Sequence, residues 1–257
     1  MKRFLKMPNA SFFEKLKSWD PETLLYRVMP LFMMEIMETY FRLEVEGAEN
    51  VPKRGRALYA PNHSGFSGFD AMMLLHEIQR LSGRTPKVLT HPLWFLTQAT
   101  AIPANKLGFI EATKENALRE LKKNRQIVLF PEGEYGNFKP SSRAYSLQDF
   151  KRGFIRIAIE TNTPIVPTIV IGAEETHINL SQLKFSRYLR GLVLPLPLNI
   201  IPLPARWKII FLPPVHLPYS SAKCSDSELM NELANDIRDI MQERIQFELK
   251  NRKSIYL

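Results

Sequence analysis

Short apolar runs of strand length recur along this chain, and stretches with helical spacing lie between them. Residues 56–60, 87–90, 107–110, 126–130, 165–171 and 207–212 read as strands. Residues 69–81, 113–123 and 150–161 repeat their apolar positions at helical intervals. Parallel strands need a long crossover, which a helix supplies. The alternation therefore restricts the chain to an α/β fold, a mostly parallel sheet flanked by helices. In such sheets, sites gather where strands end and helices begin.

The two ends are helical. Asp20 followed by Pro21 is a strong helix start, and apolar residues then run from Leu24 to Phe41. Pro30 should kink or interrupt that helix. Residues 42–46 alternate like an edge strand, and Pro52-Lys53-Arg54-Gly55 is a turn. The last helix should start at the capping box Ser225-Asp226-Ser227-Glu228. Its stripe of Leu229, Leu233, Ile237, Ile240, Met241 and Ile245 is core packing.

One strand-to-helix junction carries chemistry. Residues 57–60 are apolar, Pro61-Asn62-His63-Ser64-Gly65-Phe66-Ser67-Gly68-Phe69-Asp70 follow, and a helical pattern begins. A histidine leaves a strand and an aspartate opens a helix, an arrangement suited to a base and its orienting carboxylate. On a continuous helix the two would stand ~10 Å apart along the axis. The Gly/Ser loop must fold back if they are to meet. Equally, Ser67 to Asp70 forms a capping box, in which Asp70 would serve only helix-end N–H groups.

The net charge of +9 suits an anionic membrane, an anionic substrate or nucleic acid. It is concentrated in two places. Lys2, Arg3, Lys6, Lys15 and Lys17 face one acid, Glu14, and Lys184, Arg187, Arg190, Arg206 and Lys208 lie in a segment with none. The N-terminal lysines alternate with Phe4, Phe12, Phe13 and Trp19, as in an interfacial amphipathic segment. No signal peptide or membrane-spanning helix is read. Residues 191–205 are apolar, but too short and too rich in proline to span. The single cysteine, Cys224, excludes an intrachain disulfide.

Two more blocks sit at strand ends. Residues 126–130 lead into Phe130-Pro131-Glu132-Gly133-Glu134-Tyr135-Gly136. Thr163-Pro164-Ile165-Val166-Pro167-Thr168 leads into Gly172-Ala173-Glu174-Glu175. Asn-His with a downstream Asp, then Phe-Pro-Glu-Gly, then Pro-Ile-Val-Pro, resembles the glycerolipid acyltransferase superfamily. The likeness is to its lysophosphatidic-acid-acyltransferase-like group and the monoacylglycerol-acyltransferase-like branch. It extends over residues 43–217 and takes in residues 107–112 and Phe150-Lys151-Arg152-Gly153.

The resemblance implies a glycerol-phosphate-acyltransferase-like fold and an O-acyltransferase. His63 would be the general base and Asp70 its partner. Asn62, Glu132, Gly133, Lys139 and Arg143 would bind the acceptor. Pro164 and Pro167 would serve the acyl donor or structure. No metal or cofactor is expected; acyl-CoA or acyl carrier protein is the co-substrate and a lipid the acceptor. Residues 1–45 would form a basic, amphipathic helical segment in membrane contact and 46–257 the catalytic domain. The expected location is peripheral, on the cytoplasmic side of an anionic membrane, with no nucleic-acid partner.

The chain departs from the family pattern in three places. Six residues separate His63 from Asp70 where four are common. Thr113 stands near the usual arginine of the second block, and Glu134-Tyr135 replace the residues, ending in arginine, that usually follow Phe-Pro-Glu-Gly. Those arginines hold the acceptor's phosphate in the family, so Lys139, Arg143, Lys151 or Arg152 would have to substitute. Two other classes stay open: a silent lipid binder using the same pocket, and a nucleic-acid binder. A His63–Asp70 pair unable to meet would favour the silent binder. Gly65-Phe66-Ser67-Gly68-Phe69 lacks the last glycine of a hydrolase elbow. His76, His91, His177 and His216 have no partner at metal-ligand spacing.

Overall fold

The computed structural model describes residues 19–64, 68–185 and 192–256. Readings that rest on the lysines before Trp19, on Ser67, or on Arg187 and Arg190 lie outside the described residues.

Among the described residues the strands in chain order are β1 (Glu44–Glu46), β2 (Ala57–Pro61), β3 (Lys87–Thr90), β4 (Phe109–Glu111), β5 (Gln126–Val128), β6 (Ile165–Ile171), β7 (Asn179–Phe185), β8 (Leu192–Pro197) and β9 (Lys208–Phe211). Seven form one sheet in the order β1-β9-β6-β2-β5-β3-β4. Every pairing in it is parallel except β6 with β9. The expected mostly parallel α/β sheet is thus the observed one. The alternation of strand and helix in the sequence is what produces it.

Helices cover both faces. Helices Lys114–Lys122, Gly153–Thr161 and Ser227–Asn251 pack on one through Leu121, Phe154, Ile237 and Met241. Helices Met29–Tyr40 and Phe69–Ser82 cover the other through Met34, Met73, Leu74 and Ile78. Phe41 stacks on Trp207 with ring centroids 4.6 Å apart. Burying aromatic side chains of this size stabilises the fold by ~1.5–3 kcal/mol each.

Local chemistry explains where the elements differ from expectation. Asp20 caps the first helical turn by accepting from Thr23 N at 2.9 Å. Pro30 does not break the helix. Residues Leu24–Val28 widen into a π turn, and Met29 N reaches back five residues to Leu24 O. That extra turn absorbs the proline ring and its missing donor. The last helix is capped by Asp226, which accepts from Leu229 N, rather than by Ser225, whose hydroxyl donates to Ala222 O. Ile240 falls outside the packed stripe and is exposed. Residues 191–205, which showed no strand signal, supply β8, paired antiparallel with β7. Its prolines are tolerated because this two-stranded ribbon leaves each strand one free edge.

Candidate active site

The site is assembled at the C-terminal ends of β2 and β5, which are neighbours in the sheet. Asn62 closes β2. It is fully buried, and its amide both donates to Val170 O (3.1 Å) and accepts from Val170 N (2.7 Å). This two-way bond ties the strand end to β6 and makes His63 the first residue to leave the sheet.

The loop folds back. Gly68 caps helix Phe69–Ser82 in the left-handed region (φ 71°), which glycine adopts without strain. Asp70 therefore enters the first turn facing the strand it came from. His63 Nδ1 and Asp70 Oδ2 lie 2.6 Å apart. Asp70 is 1% exposed and also accepts from Ser64 N at 3.0 Å and Ala71 N at 2.8 Å. The orienting and helix-end roles coincide in one carboxylate. With Nδ1–H donated to Asp70, the lone pair of the imidazole is on Nε2, ready to take a proton.

The Phe-Pro-Glu-Gly turn grips the same histidine. Phe130 stacks on the imidazole, ring centroids 3.9 Å apart. Glu132 is 1% exposed; one carboxylate oxygen accepts from His63 N (3.0 Å) and the other from Gln148 N (2.8 Å). Lys139 Nζ lies 3.5 Å from Glu132 and 3.0 Å from Glu174. Glu174 also accepts from Tyr145 N. Burial pushes the Glu174 carboxyl up to about 7, although Lys139 pulls it down.

Three of the residues expected to bind the acceptor are engaged within the protein. Asn62, Glu132 and Lys139 were expected at the acceptor, yet their polar atoms are buried and engaged within the protein. An ammonium between two buried carboxylates has no free charge to offer a ligand. Gly133 and Arg143 do remain accessible. Pro164 precedes β6, its carbonyl accepting from Leu58 N, and Pro167 sits within β6 opposite Ala60.

Of the cations named as substitutes for the family's arginines, one is placed at the turn. Lys151 lies against the turn: a Cβ on Gly133 would meet its Nζ at 2.9 Å. His91 pairs with Glu134 at 3.4 Å, so the segment after Gly133 carries a carboxylate and Tyr135. A small cavity of about 20 Å³ adjoins the site, lined by Ser64, Asn137, Lys139 and Glu174 among others. It has room for roughly one water-sized group. Ser64 Oγ is buried there with no hydrogen-bond partner among the described residues. Away from the site, His76 has a partner that its sequence spacing hid, Glu38 at 2.8 Å. Burial raises Glu38, but hydrogen bonds from His76 and Glu77 outweigh it and bring the carboxyl down to about 2. Glu77 in turn is held by Arg80.

Known proteins resemble this chain in sequence and in fold. A family model described as acyltransferase matches residues 42–171. An uncharacterized protein of Mycobacterium tuberculosis is 32% identical over 252 residues, covering 93% of this chain and 70% of that one. The 1-acyl-sn-glycerol-3-phosphate acyltransferase of Cocos nucifera is 31% identical over 141 residues, 53% of this chain and 42% of that protein. Among solved structures, the 1-acyl-sn-glycerophosphate (LPA) acyltransferase PlsC from Thermotoga maritima superposes with a TM-score of 0.61 at 17% identity. It covers 94% of this chain and 88% of its own, a shared fold.

Proposed function

Because the chain belongs to the acyltransferase family, we propose that it moves a fatty acyl group from a thioester to a hydroxyl of a glycerolipid or lysophospholipid. The donor is acyl-CoA or acyl carrier protein. The observation that carries this reading is the 2.6 Å contact between His63 and a buried Asp70. A silent lipid binder gains nothing from an imidazole held at a carboxylate, a backbone carboxylate bond and an aromatic ring at once.

The step balances without metal or covalent intermediate. His63 Nε2 takes the proton as the acceptor oxygen attacks the thioester carbonyl carbon. The C–O bond forms, the tetrahedral adduct collapses and the C–S bond breaks. The leaving thiolate receives the proton from His63, giving ester and free thiol. Asp70 keeps the imidazole in the required tautomer and faces the imidazolium while it exists. Glu132 and Lys139 act as positioning residues behind it. Gly133 and Arg143 face the acceptor, and Pro164 and Pro167 shape the strand. A screen of labelled acyl-CoA against lysolipids and glycerides tests the reading; no labelled ester from any acceptor would refute it.

The acceptor's charge is tested separately. Glu134 and Tyr135 stand where the resembling family carries arginine, and Lys151, whose Nζ lies against Gly133, is the cation nearest that turn to take the phosphate, beside Arg143. A charge-assisted contact contributes ~1.5–3 kcal/mol. Lys151→Met is expected to raise KM for lysophosphatidic acid by at least ~10-fold. It should leave KM for monoacylglycerol nearly unchanged. Equal effects on both acceptors would remove Lys151 from headgroup recognition.

We place the enzyme at an anionic membrane face, with residues 1–45 in contact and no nucleic-acid partner. No helix among the described residues is long and apolar enough to cross a membrane. The basic excess supports the placement, since each lysine or arginine near an anionic bilayer contributes ~1 kcal/mol.

A further inference from the structure

Beyond the N-terminal segment, we infer that the turn following β8 is a second membrane-insertion element, whose tip is Leu198, Ile200 and Ile201. The inference names the surface that the lipid-acceptor reading requires and rests on that reading only for its purpose.

Ile200 is 83% exposed and Ile201 79%, the highest values among the exposed large hydrophobic residues. A soluble surface seldom holds such side chains in a contiguous patch. Here they are held out by design of the backbone. Asn199 Nδ2 donates to Thr176 O (3.1 Å) and Ile201 O (2.7 Å), while Asn199 Oδ1 accepts from Ile178 N (2.8 Å). Leu198 N donates to Ile178 O and Leu203 N to Thr176 O. Pro195, Pro197, Pro202 and Pro204 bring no N–H at all. Backbone groups entering the apolar part of a bilayer must be satisfied internally, and the turn meets part of that demand at Leu198 N, Ile201 O and Leu203 N.

The patch does not stand alone. Tyr40 OH donates to Pro202 O at 2.6 Å, which joins the turn to the end of helix Met29–Tyr40. Phe32, Ile36 and Tyr40 lie four residues apart on that helix, share one face, and are all exposed. The turn also sits on the site side of the molecule. Thr176, which Asn199 holds, precedes His177, whose ring lies parallel to that of Phe69, next to Asp70. Charge selects the occupant. In sequence, residues 181–208 contain no acid and five basic residues; Lys208 is paired with Glu46 and Glu248, and the other four leave this segment an excess of positive charge that suits an anionic lipid surface.

The test is co-sedimentation of the full chain with vesicles of phosphatidylglycerol and phosphatidylcholine. Ile200→Ser/Ile201→Ser should bind at least ~30-fold more weakly than wild type. Ile240→Ser, on the helix covering the other sheet face, should bind as wild type does. Thermal melts of both variants should match wild type, since all three side chains are exposed. Wild-type vesicle binding by the double variant overturns the inference, as does an equal loss in Ile240→Ser. A dimer that becomes monomeric in the double variant, with vesicle binding intact, assigns the patch to a second copy and overturns it too. Vesicle binding that depends on Ile200 and Ile201 in a protein that acylates nothing would sink the enzymatic reading and leave this one standing.

Discussion

His63→Ala is expected to lower kcat by at least ~10³-fold while the protein stays folded. Two losses are involved. The group that receives the acceptor's proton disappears, and so does the ring that Asp70 and Phe130 hold in place. Stability should change little. The His63 backbone N–H keeps its bond to Glu132, and Asp70 keeps Ser64 N and Ala71 N. Asp70→Asn is the sharper companion. An amide has one oxygen, but the carboxylate serves His63 and Ser64 with one atom and Ala71 with the other. In either orientation the NH₂ group meets a donor, or it forces His63 into the wrong tautomer. Activity should fall by roughly 10²–10⁴-fold. Turnover in folded His63→Ala equal to wild type would remove the histidine from the mechanism, whatever the acceptor proves to be.

What the sequence showed of this site, and what it hid, follows from distance along the chain. The sheet was legible because each β-α step writes its own pattern: β3 and β6 have the bounds expected of them. His63 and Asp70 were legible as a pair because one loop carries both. Their contact was not, since it depends on Gly68 adopting φ 71° and on Asn62 locking the strand end to Val170. The surroundings of Lys139 were hidden for a related reason. As a residue it is a cation near the Phe-Pro-Glu-Gly turn. Only the fold brings up Glu174 from beyond β6 and buries the three charges together. Strand β8 was hidden by its own prolines, Pro195 and Pro197, which argue against a strand everywhere except at an edge. His91 and Glu134, and likewise Glu38 and His76, meet only through tertiary packing.

That buried triad gives the largest expected effect on stability. Lys139→Met keeps most of the side-chain volume and removes the charge, leaving Glu132 and Glu174 to face each other. Breaking a buried pair by removing one partner costs ~3–5 kcal/mol. Its pH dependence identifies the cause. In the native protein Glu174 holds its proton up to about 7, against an ordinary value of 4.5. A carboxyl raised by folding binds more protons folded than unfolded between those values, so its contribution to stability is lost as pH rises through that window. Above 7 the wild type has nothing further to lose from this group. In Lys139→Met the ammonium that pulls Glu174 down is gone, so the folded value lies above 7 and the fall continues. Denaturant melts at successive pH values should therefore diverge above neutrality, by up to ~1.4 kcal/mol per pH unit. Parallel wild-type and variant curves would mean that Glu174 does not depend on Lys139. Loosening Glu132, which holds the His63 backbone, should also lower kcat with little change in KM, the mark of a residue that positions the base without touching substrate.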